Sequence, residues 1–250
     1  MYPVLFTIGA WEVKAPYVFT TLGILLGVLV GWREARRAGF STRHILTFAA
    51  AAIPAALLLG VVNGILFRLL LRWDVLGLHE FFTTGLVSFG AVLGALLTGW
   101  IFARLRKQSA ETALDVIALS LPLILGVYRI GCLLNGCCYG VRTDGFWGVF
   151  LPGRFGEWAN RYPTQIMYML LDFAIFGFLW WRRAHKPVPG SQTVIFLLLF
   201  SAGRLLIDSL RDLPRVFLGM NFHQLVSLVI LLAALGFAAA SKLRGRHTVR

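Results

Sequence analysis

The chain has 250 residues, of which 58% are hydrophobic and 14% charged, and its formal net charge is +13. A water-soluble domain carries roughly a quarter charged residues, so this composition, with a mean hydropathy of +0.76, excludes an ordinary soluble fold and points to a polytopic membrane protein. The basic excess does not mark a nucleic-acid binder, because most basic residues flank apolar runs instead of forming one face.

In chain order, Glu12 and Lys14 interrupt the start, and no short apolar region leads to a small-residue cleavage site, so no secretory signal is expected. Seven apolar stretches then follow, near 16–33, 46–70, 84–103, 112–135, 164–181, 192–210 and 221–240. Each is long enough for a bilayer core, which takes about 20 helical residues. Strands are not expected, since polar and apolar residues never alternate for long. The fourth stretch, LDVIALSLPLILGVY, is the least regular and runs into a cluster of glycines and cysteines.

Arg33, Arg36, Arg37 and Arg43 follow the first stretch, Arg104, Arg106 and Lys107 the third, and Arg182, Arg183 and Lys186 the fifth; Lys242, Arg244, Arg246 and Arg250 close the chain. The alternate connections mix signs, as with Asp74 and Glu80, Asp144 and Glu157, or Asp212 beside Arg211. The positive-inside rule therefore predicts an N-terminus outside and a C-terminus in the cytoplasm. Trp11, Trp32, Trp73, Trp100, Trp180 and Trp181 fall near predicted span ends, as interface anchors do. The connection over 141–163 is too short to fold alone and too apolar to float free; it is expected to lie in the outer interface or to fold back over a cavity. A single membrane domain over 1–250 is expected.

A charge at mid-bilayer costs at least ~2.5–3.5 kcal/mol, so charged residues within spans need a reason. Arg129 stands at the outward end of span four. Arg204, Asp208 and Arg211 share one helical face at the outward end of span six. An Arg204–Asp208 pair serves neutralisation alone on the blandest reading. Several arginines at one depth instead make a pocket for an anion, and a phospholipid phosphate suits the guanidinium fork. In RYPTQIMY at 161–168, Pro163 suits a first helical turn, Thr164 a cap, and Gln165 wants a polar partner. Tyr17 reads first as an interface aromatic, and His79 with Glu80 as solvated loop residues. Gly85, Gly90 and Gly94 have the spacing of close helix packing.

All three cysteines, Cys132, Cys137 and Cys138, lie in RIGCLLNGCCYG at 129–140. Three thiols fall one short of a four-ligand zinc site, and the adjacent Cys137–Cys138 pair forms only a strained disulfide. No metal and no cofactor is expected from them.

These pieces together resemble the prolipoprotein diacylglyceryl transferase family. Its signature G-R-[IL]-G-N-[FV]-[IL]-N-G-E-x-x-G is similar to the run from Tyr128 through Arg129, Cys132, Asn135 and Cys137 to Gly140. Its P-T-D-x-P-W-G-V-x-F-P resembles Arg142 to Phe150, its H-P-[ST]-Q-L-Y-E resembles Tyr162 to Tyr168, and its G-R-F-x-[IV]-E-x-x-R resembles Gly203 to Arg211. Phe6 to Gly9 with Tyr17 and Gly23 echo its N-terminal motif, and His223 to Ser227 echo its late G-Q-x-x-S. The order holds over nearly the whole chain. Four positions depart. Phe89 stands where the family has histidine or tyrosine, Cys132 and Cys137 replace asparagine and glutamate, and Tyr168 replaces glutamate. The family's second-span arginine has no counterpart in LLLGVVNGILF.

The resemblance implies an all-α fold of seven transmembrane helices in the bacterial cytoplasmic (inner) membrane. It implies transfer of diacylglyceryl from phosphatidylglycerol to the cysteine thiol of a lipoprotein precursor, bound through its signal peptide. Arg129 and Arg204 would hold the phosphate, with Asp208 orienting Arg204 or Arg211. Asn135, Gly140, Gln165 and Arg211 would bind the headgroup, and Tyr17 would assist proton transfer, with His79 and Glu80 as fallback bases. Membrane lipids and the precursor are the expected partners. The missing histidine and glutamates leave a second reading, a non-catalytic relative that binds phospholipid or lipoprotein in the same pocket.

Overall fold

The computed structural model describes residues 2–9, 11–71, 86–153, 156–185 and 187–247. Among the described residues, seven helices long and apolar enough to cross a membrane occupy the seven predicted stretches. They are α1 (Ala15–Arg37), α2 (Thr42–Leu71), α3 (Leu86–Leu105), α4 (Ala110–Asn135), α5 (Thr164–Arg182), α6 (Ser191–Ile207) and α7 (Phe222–His247). The chain is thus a multi-pass membrane protein. Span four, expected to be irregular, is one continuous helix that carries Pro122 within it.

The expectation of no strands is corrected. Among the described residues, three two-stranded antiparallel hairpins form: β1 (Val4–Ile8) with β2 (Trp11–Lys14), β3 (Val149–Pro152) with β4 (Trp158–Arg161), and β5 (Arg215–Phe217) with β6 (Met220–Asn221). They are too short to register as alternation, and their pairing satisfies backbone groups that a turn at the bilayer edge leaves open. All three lie at the end where α4 and α6 finish and α1, α5 and α7 begin. The Tyr2 amide donates to Leu134 O at 3.0 Å and the Val141 amide to Leu210 O at 2.9 Å, which stitches that end together. The connection over 141–163 folds back on itself: the Tyr162 amide donates to Val141 O and the Thr143 amide to Asn160 O. Its hairpin exposes Phe146, Trp147, Phe150 and Trp158, a surface of the kind that settles at a membrane interface.

Helix α4 is the axis of the bundle, packing on α1, α3, α5 and α6. Its Ile117, Leu119, Leu121 and Leu125 form one core with Phe89 and Val92 of α3, Ile175 and Leu179 of α5, and Phe196 and Phe200 of α6. Without a hydrophobic force between helices in lipid, close approach depends on small residues. Gly23, Gly27 and Gly31 make such a seam on α1. A Cβ at Gly23 would stand 2.9 Å from Ile124 O, and one at Gly31 would stand 3.0 Å from Ser120 Oγ. Gly94 plays the same part between α3 and α2, where a Cβ would meet Ala56 Cα at 3.2 Å. Gly85 lies outside the described residues.

At the opposite end, Asp115 of α4 caps the start of α6. Its carboxylate accepts from the Gly190 and Thr193 amides at 2.8 Å each and from Thr193 Oγ1 at 2.7 Å. Arg183 closes the same end by pairing with Glu34 at 2.9 Å and stacking on Trp180 at 3.5 Å.

Candidate active site

Helix α4 ends at Gly136, whose φ of +73° is the left-handed conformation that a glycine adopts without strain. That reversal brings Cys137 and Cys138 back beside Cys132, with the Cys137 amide donating to Cys132 O at 3.2 Å. Cys138 itself has φ +62°, a conformation that costs a residue with a side chain roughly 1–3 kcal/mol and persists only where its surroundings impose it. Here Thr164 Oγ1 donates to Cys138 O at 2.6 Å and Gln165 Nε2 to Cys137 O at 2.8 Å. Thr164 was expected to cap α5, yet Pro163 is the cap residue and no side chain caps that helix. Its hydroxyl is committed to holding the cysteine loop instead.

Three arginines converge under this loop. Arg129, Arg204 and Arg211 are buried to 1%, 1% and 3% exposure, so Arg129 does not reach out to the surface as a span-end arginine would. The carboxylate of Asp208 lies between two of them, 3.8 Å from Arg204 Nε and 3.7 Å from Arg211 Nη1. Both distances are too long for a hydrogen bond. Arg204 Nη1 donates to Ser88 Oγ at 2.9 Å. Arg129 Nε and Nη1, and Arg204 Nε and Nη2, are buried with no hydrogen-bond partner among the described residues. Buried donors of this kind are costly unless something accepts from them.

Aromatic rings hold the guanidiniums. Tyr168 lies 4.4 Å from Arg129 and 5.0 Å from Arg204, while Phe89 lies 4.2 Å and Phe200 5.2 Å from Arg204. Tyr168 Oη also donates to Asp208 Oδ1 at 2.5 Å. Tyr168 and Phe89, which the sequence marked as departures, are therefore the residues that shape the cation cluster.

The remaining expected residues divide between this cluster and a cavity on the far side of α4. Tyr17 and Asn135 line an apolar cavity of about 690 Å³ between α1, α2, α3 and α4, together with Tyr128, Cys132 and Cys137. Tyr17 is 58% exposed, and among the described residues no hydrogen bond joins it to the arginines. Gln165, on α5, braces the cysteine loop, and its Oε1 is without a partner among the described residues. Gly140 sits where backbones nearly touch: its amide donates to Tyr162 O at 2.9 Å, it forms a β-bridge with Arg211, and a Cβ there would stand 2.7 Å from Leu210 O. His79 and Glu80 lie outside the described residues.

The three thiols form a node between cavity and cluster. Their Sγ atoms all lie within 4.8 Å of one another. Hydrogen bonds from the Cys132 and Cys137 thiols, with Arg211 and Arg129 close by, hold the Cys138 thiol well below its ordinary range.

Sequence reasoning missed several members. Ser88 of α3 fixes Arg204. Asp172, one turn beyond Tyr168 on α5, is buried within electrostatic reach of Arg129 and Arg204; a lone aspartate in an apolar run was the signal available. His223 of α7 is 1% exposed with its ring 6.0 Å from that of Phe89 and near the Asp208 charge. Asn221 donates to Asp208 O at 2.6 Å and pairs reciprocally with Gln224, a capping arrangement that starts α7 beside the cluster. Arg161 is buried against Tyr139 and pairs with Glu157 at 2.7 Å and Asp212 at 3.2 Å.

Comparison with known proteins finds relatives along nearly the whole chain. A family model described as prolipoprotein diacylglyceryl transferase matches residues 3–240. The chain is similar to phosphatidylglycerol–prolipoprotein diacylglyceryl transferase 2 of Clostridium perfringens, 28% identical over 233 residues that cover 90% of each chain. It is 31% identical over 245 residues to the protein of that name from Dehalococcoides mccartyi, covering 93% of this chain and 90% of the relative. Against the Thermotoga maritima protein it is 29% identical over 252 residues, covering 96% and 84%.

Proposed function

Because the chain belongs to the prolipoprotein diacylglyceryl transferase family, we propose that it transfers the diacylglyceryl group of phosphatidylglycerol to the cysteine thiol of a lipoprotein precursor. The observation that carries this reading is that Arg204 and Arg211 flank Asp208 while Arg129 packs on the Tyr168 ring beside them, with buried donors of Arg129 and Arg204 left over among the described residues. Such a site is built for an anion of more than one oxygen, and a phosphodiester is the anion the bilayer supplies.

The acceptor sulfur attacks the glyceryl carbon that carries the phosphate. The carbon–oxygen bond breaks, and glycerol phosphate leaves with the electron pair. Charge develops on the leaving phosphate oxygen, and Arg129 and Arg204 meet it with donors fixed in advance by Tyr168, Phe89 and Ser88. Asp208 keeps Arg204 and Arg211 from separating. Asn135 and Gln165 bind headgroup glycerol or ester oxygens, Gly140 lets the loop close on Arg211, and Tyr17 faces the lipid tails in the cavity. The protein works in the bacterial inner membrane with its N-terminus outside, which puts the cluster near the outer leaflet, and it takes the precursor through its signal peptide.

The test is transfer of labelled diacylglycerol to a precursor peptide by purified protein, with Arg129→Ala and Arg204→Ala beside it. Wild-type transfer with a loss of about 10²–10³-fold in each variant supports the reading. Unchanged transfer by either variant removes the phosphate role from that residue. Lipid binding by the wild type with no product favours the non-catalytic relative.

A further inference from the structure

The transferase reading leaves open how the acceptor thiol loses its proton. A thiol is a poor nucleophile until it becomes a thiolate, and Phe89, with its ring 4.2 Å from the Arg204 guanidinium, cannot take a proton. The node of cysteines offers a different chemistry. Three Sγ atoms lie within 4.8 Å of one another, and Cys132 and Cys138 are buried. Zinc–sulfur bonds of about 2.3 Å at tetrahedral angles place sulfurs about 3.8 Å apart. Closing the trio on an ion therefore asks for roughly 1 Å of side-chain adjustment and no change of fold. The backbone is already set for it by the left-handed Gly136 and by Cys138 at φ +62°.

We propose that Cys132, Cys137 and Cys138 hold a zinc ion, and that the acceptor cysteine's sulfur takes its fourth position. This rests on the transferase reading above. Three thiols alone fall one ligand short of a closed, structural zinc site. In a site that acts on a thiol, that open position is the functional one: catalytic zinc keeps three protein ligands and an exchangeable fourth, whereas structural zinc is closed. Among the described residues, no histidine, aspartate or glutamate joins the trio. Thiolate ligands select a soft ion such as zinc.

Charge and position agree. Zinc with three thiolates carries a net negative charge, which the neighbouring Arg129 and Arg211 offset. Cys132 and Cys137 line the apolar cavity, so a bound sulfur would lie between lipid tails on one side of α4 and the arginine cluster on the other. The acceptor thiol would bind the ion as a thiolate, its proton released to bulk water. The zinc-bound sulfur then forms the carbon–sulfur bond with a lone pair, while the carbon–oxygen bond breaks toward the phosphate. The thioether product, a weaker ligand, leaves the ion.

Detergent-purified protein, reduced and stripped of metal, would be dialysed against zinc and separately titrated with cobalt(II) and copper(I). One zinc per chain is expected, with a thiolate-to-cobalt charge-transfer band and tetrahedral visible bands in the cobalt form. Cys132→Ser and Cys138→Ser should lose both, and thermal unfolding of the apo proteins distinguishes lost ligands from lost fold. A precursor peptide containing the acceptor cysteine should shift the cobalt bands, and its serine counterpart should not. Failure to take up zinc with all three thiols free, uptake of copper(I) alone, or cobalt bands indifferent to the thiol peptide would each overturn the proposal. Transfer is read separately. Stripping should lower it by at least about tenfold, restored by zinc. Undiminished transfer by stripped protein and by Cys132→Ser refutes the metal while the transferase reading stands. Zinc and thiol binding with no transfer in any metal state upholds the site and refutes the transferase reading.

Discussion

Tyr168 joins α5 to the end of α6 by donating to Asp208 Oδ1 at 2.5 Å, and its ring packs against both Arg129 and Arg204. One side chain thus fixes the acceptor that faces two cations and the aromatic surface on which they rest. Tyr168→Phe keeps the ring and removes the hydrogen bond. It should lower stability by about 1–3 kcal/mol, since a buried carboxylate loses a donor, and should lower transfer. Tyr168→Leu should do worse, because the cation–π contact goes as well. Thermal unfolding in detergent and the transfer assay read the two effects, and equal behaviour of the two variants would remove the ring from the argument.

Arg129 and Arg204 should not tolerate lysine. An ammonium keeps the charge but loses the planar fork, so Arg129→Lys and Arg204→Lys should retain lipid binding and still lose roughly 10–100-fold in transfer. The separation is seen by measuring phosphatidylglycerol affinity and turnover on the same preparations. Full turnover in either lysine variant would mean that charge alone suffices.

Gly140→Ala should be severely destabilising although alanine is small. The added Cβ would meet Tyr162 Cβ at 2.6 Å, Leu210 O at 2.7 Å and Tyr162 O at 2.8 Å, and two of these are backbone atoms that cannot swing aside. A loss of about 1–3 kcal/mol is expected from the overpacking alone. The Gly140–Arg211 bridge should open with it, so transfer should fall further than the folded fraction does. Comparing activity per folded molecule with the melting curve tests this.

Asp115→Asn provides the contrasting case. It weakens the cap on α6, where the carboxylate now takes three hydrogen bonds from Gly190 and Thr193. The expected cost is roughly 0.5–2 kcal/mol of stability. It lies at the end of the bundle opposite the cysteine loop, so transfer per folded molecule should be unchanged. A specific loss of turnover would mean that the two ends are coupled.

Much of the framework was legible from residues alone. The seven helices follow from run length and hydropathy, because a backbone in lipid must bond within itself. Arg129, Arg204, Asp208 and Arg211 stood out because charge in an apolar run is expensive. The hairpins were not legible, since strands of two to five residues leave no periodic trace. Thr164 was misread because its local position suits a cap, while Cys138 O, 26 residues earlier, offered a better acceptor.

Sequence by itself determined that this chain is a multi-span membrane protein and which charged residues need an explanation. Both are consequences of what a bilayer charges for polarity at each position. Only the tertiary structure decided that Tyr168 and Phe89 build the cation site in place of merely departing from a pattern. It alone drew Ser88, Asp172 and His223 in from three other helices. It also gathered the three cysteines into one node. Those outcomes depend on where helices far apart in the chain meet, and distance in space is not written in local composition.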